Sequence, residues 1–274
     1  MSTDIAGPAV ASAPASGPLQ AQDVRLAYPR SQTEVLHGVS VSIEPEAMTA
    51  IIGPNACGKS TLLKTFGRIL QAHEGHTTLG GRPVREYGAK EFARLVGMLP
   101  QSATAPAGIT VADLVSRGRY PHQGLMRQWS GRDEAAVAEA MERTGTREIA
   151  GRPVASLSGG QRQRVWIAMS LAQETDILLL DEPTTYLDLN HQLEVLRLAE
   201  RLHKDGVTVV AVLHDLHLAF RYATHLVFMK DGKVVAQGSP CDVVTPDLIQ
   251  RVFSVPCQII DDPETGAPLV IPRR

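Results

Sequence analysis

The segment Met48-Thr49-Ala50-Ile51-Ile52 runs directly into Gly53-Pro54-Asn55-Ala56-Cys57-Gly58-Lys59-Ser60-Thr61, and Leu62, Leu63 and Phe66 follow at helical spacing. A short apolar run, a GxxxxGKS loop and an amphipathic helix in this order are the context a phosphate-binding loop requires. Gly53 and Gly58 let the backbone curl into a concave nest whose N–H groups join the helix N-terminus in facing phosphate oxygens. Lys59 adds a mobile positive charge for β and γ phosphates, and Ser60 offers a hydroxyl to Mg2+. ATP is the expected substrate. Cys57 has two readings: a thiol whose pKa an anion-binding helix start lowers, or a small residue that the loop tolerates.

Outward from this loop, short β-branched or apolar runs alternate with helical patterns, which predicts an α/β protein with a largely parallel, buried sheet. The strand candidates are Val24 to Tyr28, Val39 to Ile43, Met48 to Ile52, Leu95 to Leu99, Ile177 to Leu180, Val207 to Leu213 and Leu226 to Met229. Between Thr110 and Gly151 the pattern becomes helical, as in "TVADLVSRG" and "GRDEAAVAEAMERTG", and reads as a helical insertion. The first twenty residues, rich in Ala, Pro, Ser and Gly, read as a flexible tail, and Asp4 with no continuous apolar stretch speaks against a secretory signal. After Gly238 the pattern weakens into a short helix and a tail.

The 274 residues suffice for one large core or two modest ones. With 27 basic and 29 acidic residues, no strong field steers the chain to nucleic acid or anionic lipid. Cys57, Cys241 and Cys257 have no metal-ligand spacing and suit a reducing compartment. The apolar runs are far shorter than the roughly 20 residues a bilayer span needs.

Two further strands end in candidate chemistry. Ile177 to Leu180 leads into Asp181-Glu182-Pro183-Thr184, and a parallel sheet delivers such carboxylates to the crevice where phosphates bind. There Asp181 serves the Mg2+ shell and Glu182 polarises the attacking water. Val207 to Leu213 leads into His214-Asp215, with His214 placed to bond the γ-phosphate or the water and Asp215 to cap the next helix. Between loop and acid pair stands Leu157-Ser158-Gly159-Gly160-Gln161, twenty positions before Asp181. A serine and two glycines opening a helix make a second anion site, which one phosphate loop in the same chain has no use for.

LSGGQ in this order, with GPNACGKST before it and LLLDEPTTYLDL after it, resembles the ATP-binding cassette of ABC transporters from about Gln22 onward. The resemblance implies a P-loop NTPase (RecA-like) core with a mixed, largely parallel sheet, an antiparallel β subdomain and a helical insertion. The implied division is a tail over 1–20, a cassette over 21–255 with its core in 21–100 and 156–240 and the insertion in 101–155, and a C-terminal tail over 256–274. It also implies a head-to-tail homodimer in which Ser158, Gly159, Gly160 and Gln161 of one subunit close on the nucleotide held by Gly53 to Thr61 of the other. By the same resemblance Tyr28 stacks on adenine, Gln101 reaches Mg2+ and water, and Asp188 speaks across the dimer. Ala56 stands where many members have glycine.

The segments Arg117 to Gln123, "WIAMSLAQET", "HDL" with "RYATHL", and "IIDDP" look like the branch that imports iron-siderophore complexes of the ferric-enterobactin type; haem and cobalamin importers share much of the pattern. This branch implies ATP hydrolysis at the cytoplasmic face of the bacterial inner membrane, a peripheral association with two membrane-spanning permease subunits, and a periplasmic or surface substrate-binding protein acting indirectly. Arg117 to Gln123 is then expected to face the permease. A soluble ABC ATPase acting on DNA or ribosomes carries a long coiled-coil insertion, a second cassette or a basic face, and the sequence has none of these. A small-molecule kinase leaves LSGGQ and His214 without a role.

Overall fold

The computed structural model describes residues 17–28, 33–124 and 129–273. Near its start, β1 (Leu19–Ala27), β2 (Glu34–Ile43), β4 (Glu74–Leu79) and β5 (Arg82–Pro83) pair antiparallel in the order β2-β1-β4-β5. The second sheet runs β10-β9-β3-β8-β7-β6, built from β3 (Met48–Ile52), β6 (Val96–Leu99), β7 (Ile177–Asp181), β8 (Thr208–Val212), β9 (His225–Lys230) and β10 (Lys233–Gly238). Its members from β9 to β6 are parallel, and β10 closes one edge antiparallel.

Strands β3, β7 and β8 are buried along their whole length. Strand periodicity sends alternate side chains to opposite faces. Ala50, Ile52, Leu178, Leu180, Val209 and Ala211 enter one core, and Ile51, Ile177, Leu179, Val210 and Val212 enter the other. The first core lies under helices α3 (Val111–Ser116), α4 (Gly131–Arg143), α5 (Gly159–Leu171), α6 (Leu189–Lys204), α7 (Leu216–Tyr222), α8 (Pro240–Val243) and α9 (Pro246–Phe253). The second is filled by the antiparallel sheet, α1 (Lys59–Phe66) and Phe92 of α2 (Ala89–Leu95). Each fully buried aliphatic side chain contributes about 1.5–3 kcal/mol, so this two-sided burial fixes the sheet's register. Among the described residues no helix is long and apolar enough to cross a membrane.

The expected strands lose their end residues Tyr28, Val207 and Leu213, and three further expectations change. The sequence places Leu95 in a strand, but it ends α2, and the strand begins at Val96. The first strand starts at Leu19, inside the stretch expected as a tail over 1–20; residues 1–16 lie outside the described ones. The stretch expected as a C-terminal tail over 256–274 carries a hairpin, β11 (Cys257–Asp261) with β12 (Pro268–Pro272). Cys257 and Val270 are buried in the larger core, and Asp262 accepts from Glu264 N at 3.0 Å and from Thr265 Oγ1 at 2.8 Å to shape the turn. The apolar runs Ile259-Ile260 and Leu269-Val270-Ile271 are too short to signal a strand pair by themselves; α7 and α9 supply the surface they bury against.

Candidate functional site

Parallel strands in register end at one edge. Ile51 pairs with Val212, Asp181 with Val212 and Leu99 with Leu180. The residues leaving β3, β8, β7 and β6 are therefore neighbours: Gly53, His214, Glu182 and Gln101 arrive at one crevice, as a parallel sheet requires.

At Gly53 φ is +156°, and a Cβ there would lie 2.1 Å from the Met229 carbonyl oxygen, so only glycine lets the loop leave the strand this way. Gly58, at φ +101°, begins α1 with no side-chain cap and no acidic residue in the first turn. Unsatisfied N–H groups and an uncompensated positive dipole end remain for an anion. Lys59 is folded onto the loop, its Nζ donating to Gly53 O at 2.9 Å and Pro54 O at 2.8 Å. Tyr28, Asn55, Ala56, Cys57, Gly58, Lys59, Ser60, Thr61, Glu182 and His214 line an open cleft of ≈ 400 Å³ together with Val35. Tyr28 stands at its mouth with its hydroxyl 3.1 Å from Thr61 Oγ1. Cys57 is buried, and burial pushes its thiol up against the opposing pull of Lys59. The reading of an activated thiol therefore gives way to that of a small packed residue.

Ser60 Oγ donates to Asp181 Oδ1 at 2.6 Å. Asp181 is 1% exposed, its Oδ2 makes no hydrogen bond, and Lys64 Nζ lies 3.4 Å from that oxygen. A hydroxyl and a carboxylate oxygen converging beside the phosphate nest fit Mg2+, a hard cation that completes its shell with phosphate oxygens and water. Glu182 leaves β7 with a φ of +53°, a conformation that costs a non-glycine residue energy and is held by its surroundings. Gln101 Nε2 donates to Glu182 Oε2 at 2.7 Å, Thr185 Oγ1 donates to the same oxygen at 3.1 Å, and His214 Nε2 lies 2.8 Å from Oε1. Asp215 caps α7, accepting from Leu218 N at 2.9 Å.

The remaining candidates lie elsewhere. Ser158 caps α5 in a reciprocal box, its Oγ accepting from Gln161 N at 3.3 Å while Gln161 Oε1 accepts from Ser158 N at 3.2 Å. Gly159 is exposed and Gly160 buried, and none of the four lines the cleft. Asp188 caps α6 on an exposed turn beside Tyr186, which is 98% exposed. The backbone N–H of His191, and then its ring, hold the Asp188 carboxyl below its ordinary range. Sequence reading missed Thr185 and Lys64. Lys64 had a usable signal, since four residues past Ser60 on a helix it must share that face.

The segment Arg117 to Gln123, expected to face a permease, is not uniformly a surface. Arg119 is fully buried, donating from Nε to Asp133 Oδ1 at 3.0 Å and from Nη1 to Ala172 O at 2.7 Å, and only neighbours such as Tyr120 are exposed.

The family model described as ABC transporter matches residues 36–185. The chain belongs to the ABC transporter family. As an ABC cassette it binds and hydrolyses ATP, and the fold is that of the family's P-loop NTPases. It is 51% identical over 255 residues, 93% of either chain, to the ferric enterobactin transport ATP-binding protein FepC of Escherichia coli K12. It is 46% identical to the iron(3+)-hydroxamate import ATP-binding protein FhuC of Bacillus subtilis, covering 86% of this chain and 88% of that one. Among solved structures, the dimeric bacterial ABC transporter cassette MJ0796 superposes with a TM-score of 0.72 at 26% identity, over 81% of this cassette and 98% of that chain.

Proposed function

We propose that this chain is the ATP-hydrolysing subunit of a ferric siderophore importer, working as a homodimer bound peripherally to two permease subunits at the cytoplasmic face of the inner membrane. The observation that carries the hydrolytic part is the placement of Glu182, fixed by Gln101, Thr185 and His214 at the edge of a cleft floored by the phosphate loop. A carboxylate so held accepts the proton of an attacking water without first reorganising. Lys59 exchanges its loop carbonyls for β and γ phosphate oxygens, and the N–H groups opening α1 take the rest of the developing charge. Ser60 and Asp181, with Gln101, would hold Mg2+, which would supply charge neutralisation at the phosphate oxygens. His214 orients the water or the γ-phosphate, and Tyr28 offers its ring to adenine.

Ser158 to Gln161 and Asp188 serve a second chain's nucleotide. Support comes from geometry: the capped, glycine-opened start of α5 lies outside the residues lining its own cleft, so the anion its N-terminus favours would come from a second chain. The cargo is supported by relatives whose names specify ferric enterobactin, iron(3+)-hydroxamate and achromobactin, at 46–51% identity; a hemin import protein of Streptomyces coelicolor is 45% identical.

Substituting Glu182→Gln should leave Mg-ATP binding intact while lowering kcat by about a hundredfold or more, the scale of losing a positioned general base. Unchanged steady-state hydrolysis would remove Glu182 from its role. Uptake of labelled ferric siderophore, haem and cobalamin by a strain lacking the chain, with and without its restoration, decides the cargo: siderophore uptake alone should depend on it.

A further inference from the structure

The two segments assigned to the partner's nucleotide are 27 positions apart, from Asp188 back to Gln161, yet they are built into one block. His191, in the first turn of α6, joins them. Its Nδ1 lies 2.7 Å from Asp188 Oδ1, the oxygen that also accepts the His191 backbone N–H at 3.0 Å. The other edge of the ring rests on Gly160, so closely that a Cβ there would stand 2.1 Å from His191 Cδ2 and 2.6 Å from Cγ. A glycine at 160 is thus required for the imidazole to hold this position.

A second layer of contacts fixes the same relation. Leu187 lies over Gly159 with room to spare, since an added Cβ there would meet Leu187 Cδ2 only at an ordinary 3.8 Å. One turn further along each helix, Arg164 Nη1 pairs with Glu194 Oε2 at 2.6 Å. The starts of α5 and α6 are therefore tied by a ring and an ion pair. Of these ties only His191 touches both the carboxylate and the glycine backbone.

We propose that His191 is a positioning residue for the two-chain ATP site: it sets Asp188 and the Ser158 to Gln161 turn as one surface against the nucleotide of the partner. This rests on the two-chain reading above. The role fits an imidazole, which supplies a donor toward Asp188 and a carbon edge toward Gly160. Alanine supplies neither, and asparagine supplies only the donor. Because His191 is not among the residues lining its own cleft, its loss should leave nucleotide binding within one chain untouched.

The test uses the full-length chain. In a Glu182→Gln background, Mg-ATP binding to the monomer and the mass of the nucleotide-bound species are measured by equilibrium dialysis and light scattering, with and without His191→Ala. The expected result is equal monomer affinity with about tenfold weaker association, the scale of one lost hydrogen bond to a charged group. In the otherwise native chain, kcat should fall by a similar factor at an unchanged KM, and His191→Asn should recover part of it. Gly160→Ala alone should lower Tm, and adding His191→Ala should restore Tm without restoring association. Association and kcat within about twofold of native in His191→Ala, or an equal loss of monomer nucleotide affinity, would overturn the assignment. A Glu182→Gln chain that stays monomeric with saturating Mg-ATP overturns the two-chain reading instead, before His191 is altered.

Discussion

At the scale of single residues, the phosphate loop carries one departure that costs energy. Ala56 has a φ of +60°, the left-handed region where an L side chain crowds its own carbonyl, whereas Gly53 and Gly58 occupy positive φ freely. Substituting Ala56→Gly should raise stability by about 1 kcal/mol with hydrolysis unchanged, as relief of that crowding outweighs the extra freedom of the unfolded chain. Urea unfolding of the two chains checks the sign. Lys59, Ser60, Asp181 and Glu182 were legible from motif and strand context alone. The state of Cys57 was not, because proximity to a helix start argues for a low thiol pKa and only packing reveals the burial that reverses it. Thr185 was equally hidden: its hydroxyl matters only because the chain turns back on Glu182 after β7.

Among elements, the helical insertion is pinned to the core by a buried pair. Arg119 and Asp133 are 0% and 1% exposed, and Arg119 also bonds the carbonyl of Ala172 at the end of α5 and the Glu174 carboxylate. Removing one member of such a pair strands the other, so Arg119→Ala should cost about 3–5 kcal/mol, read from the shift of the denaturation midpoint. The Ser130 hydroxyl and then Arg119 hold the Asp133 carboxyl down at about 2. A folded pKa below the ordinary carboxylate value of ~3.9 means that this contribution is complete above that value and is lost as pH falls toward 2. Stability of the native chain should therefore drop over this window, and Asp133→Asn, already lacking the charge, should show a shallower acid limb. The sequence marked this region as a helical insertion from its composition but read Arg117 to Gln123 as surface. An arginine in a polar run carries no sign of burial until α4 and α5 close over it.

At the scale of the whole molecule, the phosphate loop lies with Glu182 and His214 in the cleft, while the capped LSGGQ turn and Asp188 lie outside it. On the proposed two-chain reading, association completes the site and makes hydrolysis depend on protein concentration and on filling both clefts. Specific activity should rise with enzyme concentration until association saturates, with a Hill coefficient for ATP above 1 and approaching about 2; a flat dependence with simple hyperbolic kinetics would contradict this. By itself the sequence determined the central sheet, the phosphate loop, the acid pair and the signature turn, since each is written in local spacing: apolar runs of strand length, glycines at fixed offsets, and polar residues at strand ends. Only the tertiary structure decided that Gln101, Glu182 and His214 share one hydrogen-bonded cluster, that Arg119 lies inside, that residues 257–272 pair as a hairpin, and that His191 keys Asp188 to Gly160. The reason is that these contacts join segments tens of positions apart, where strand register and helix packing set the distances and no local pattern records them.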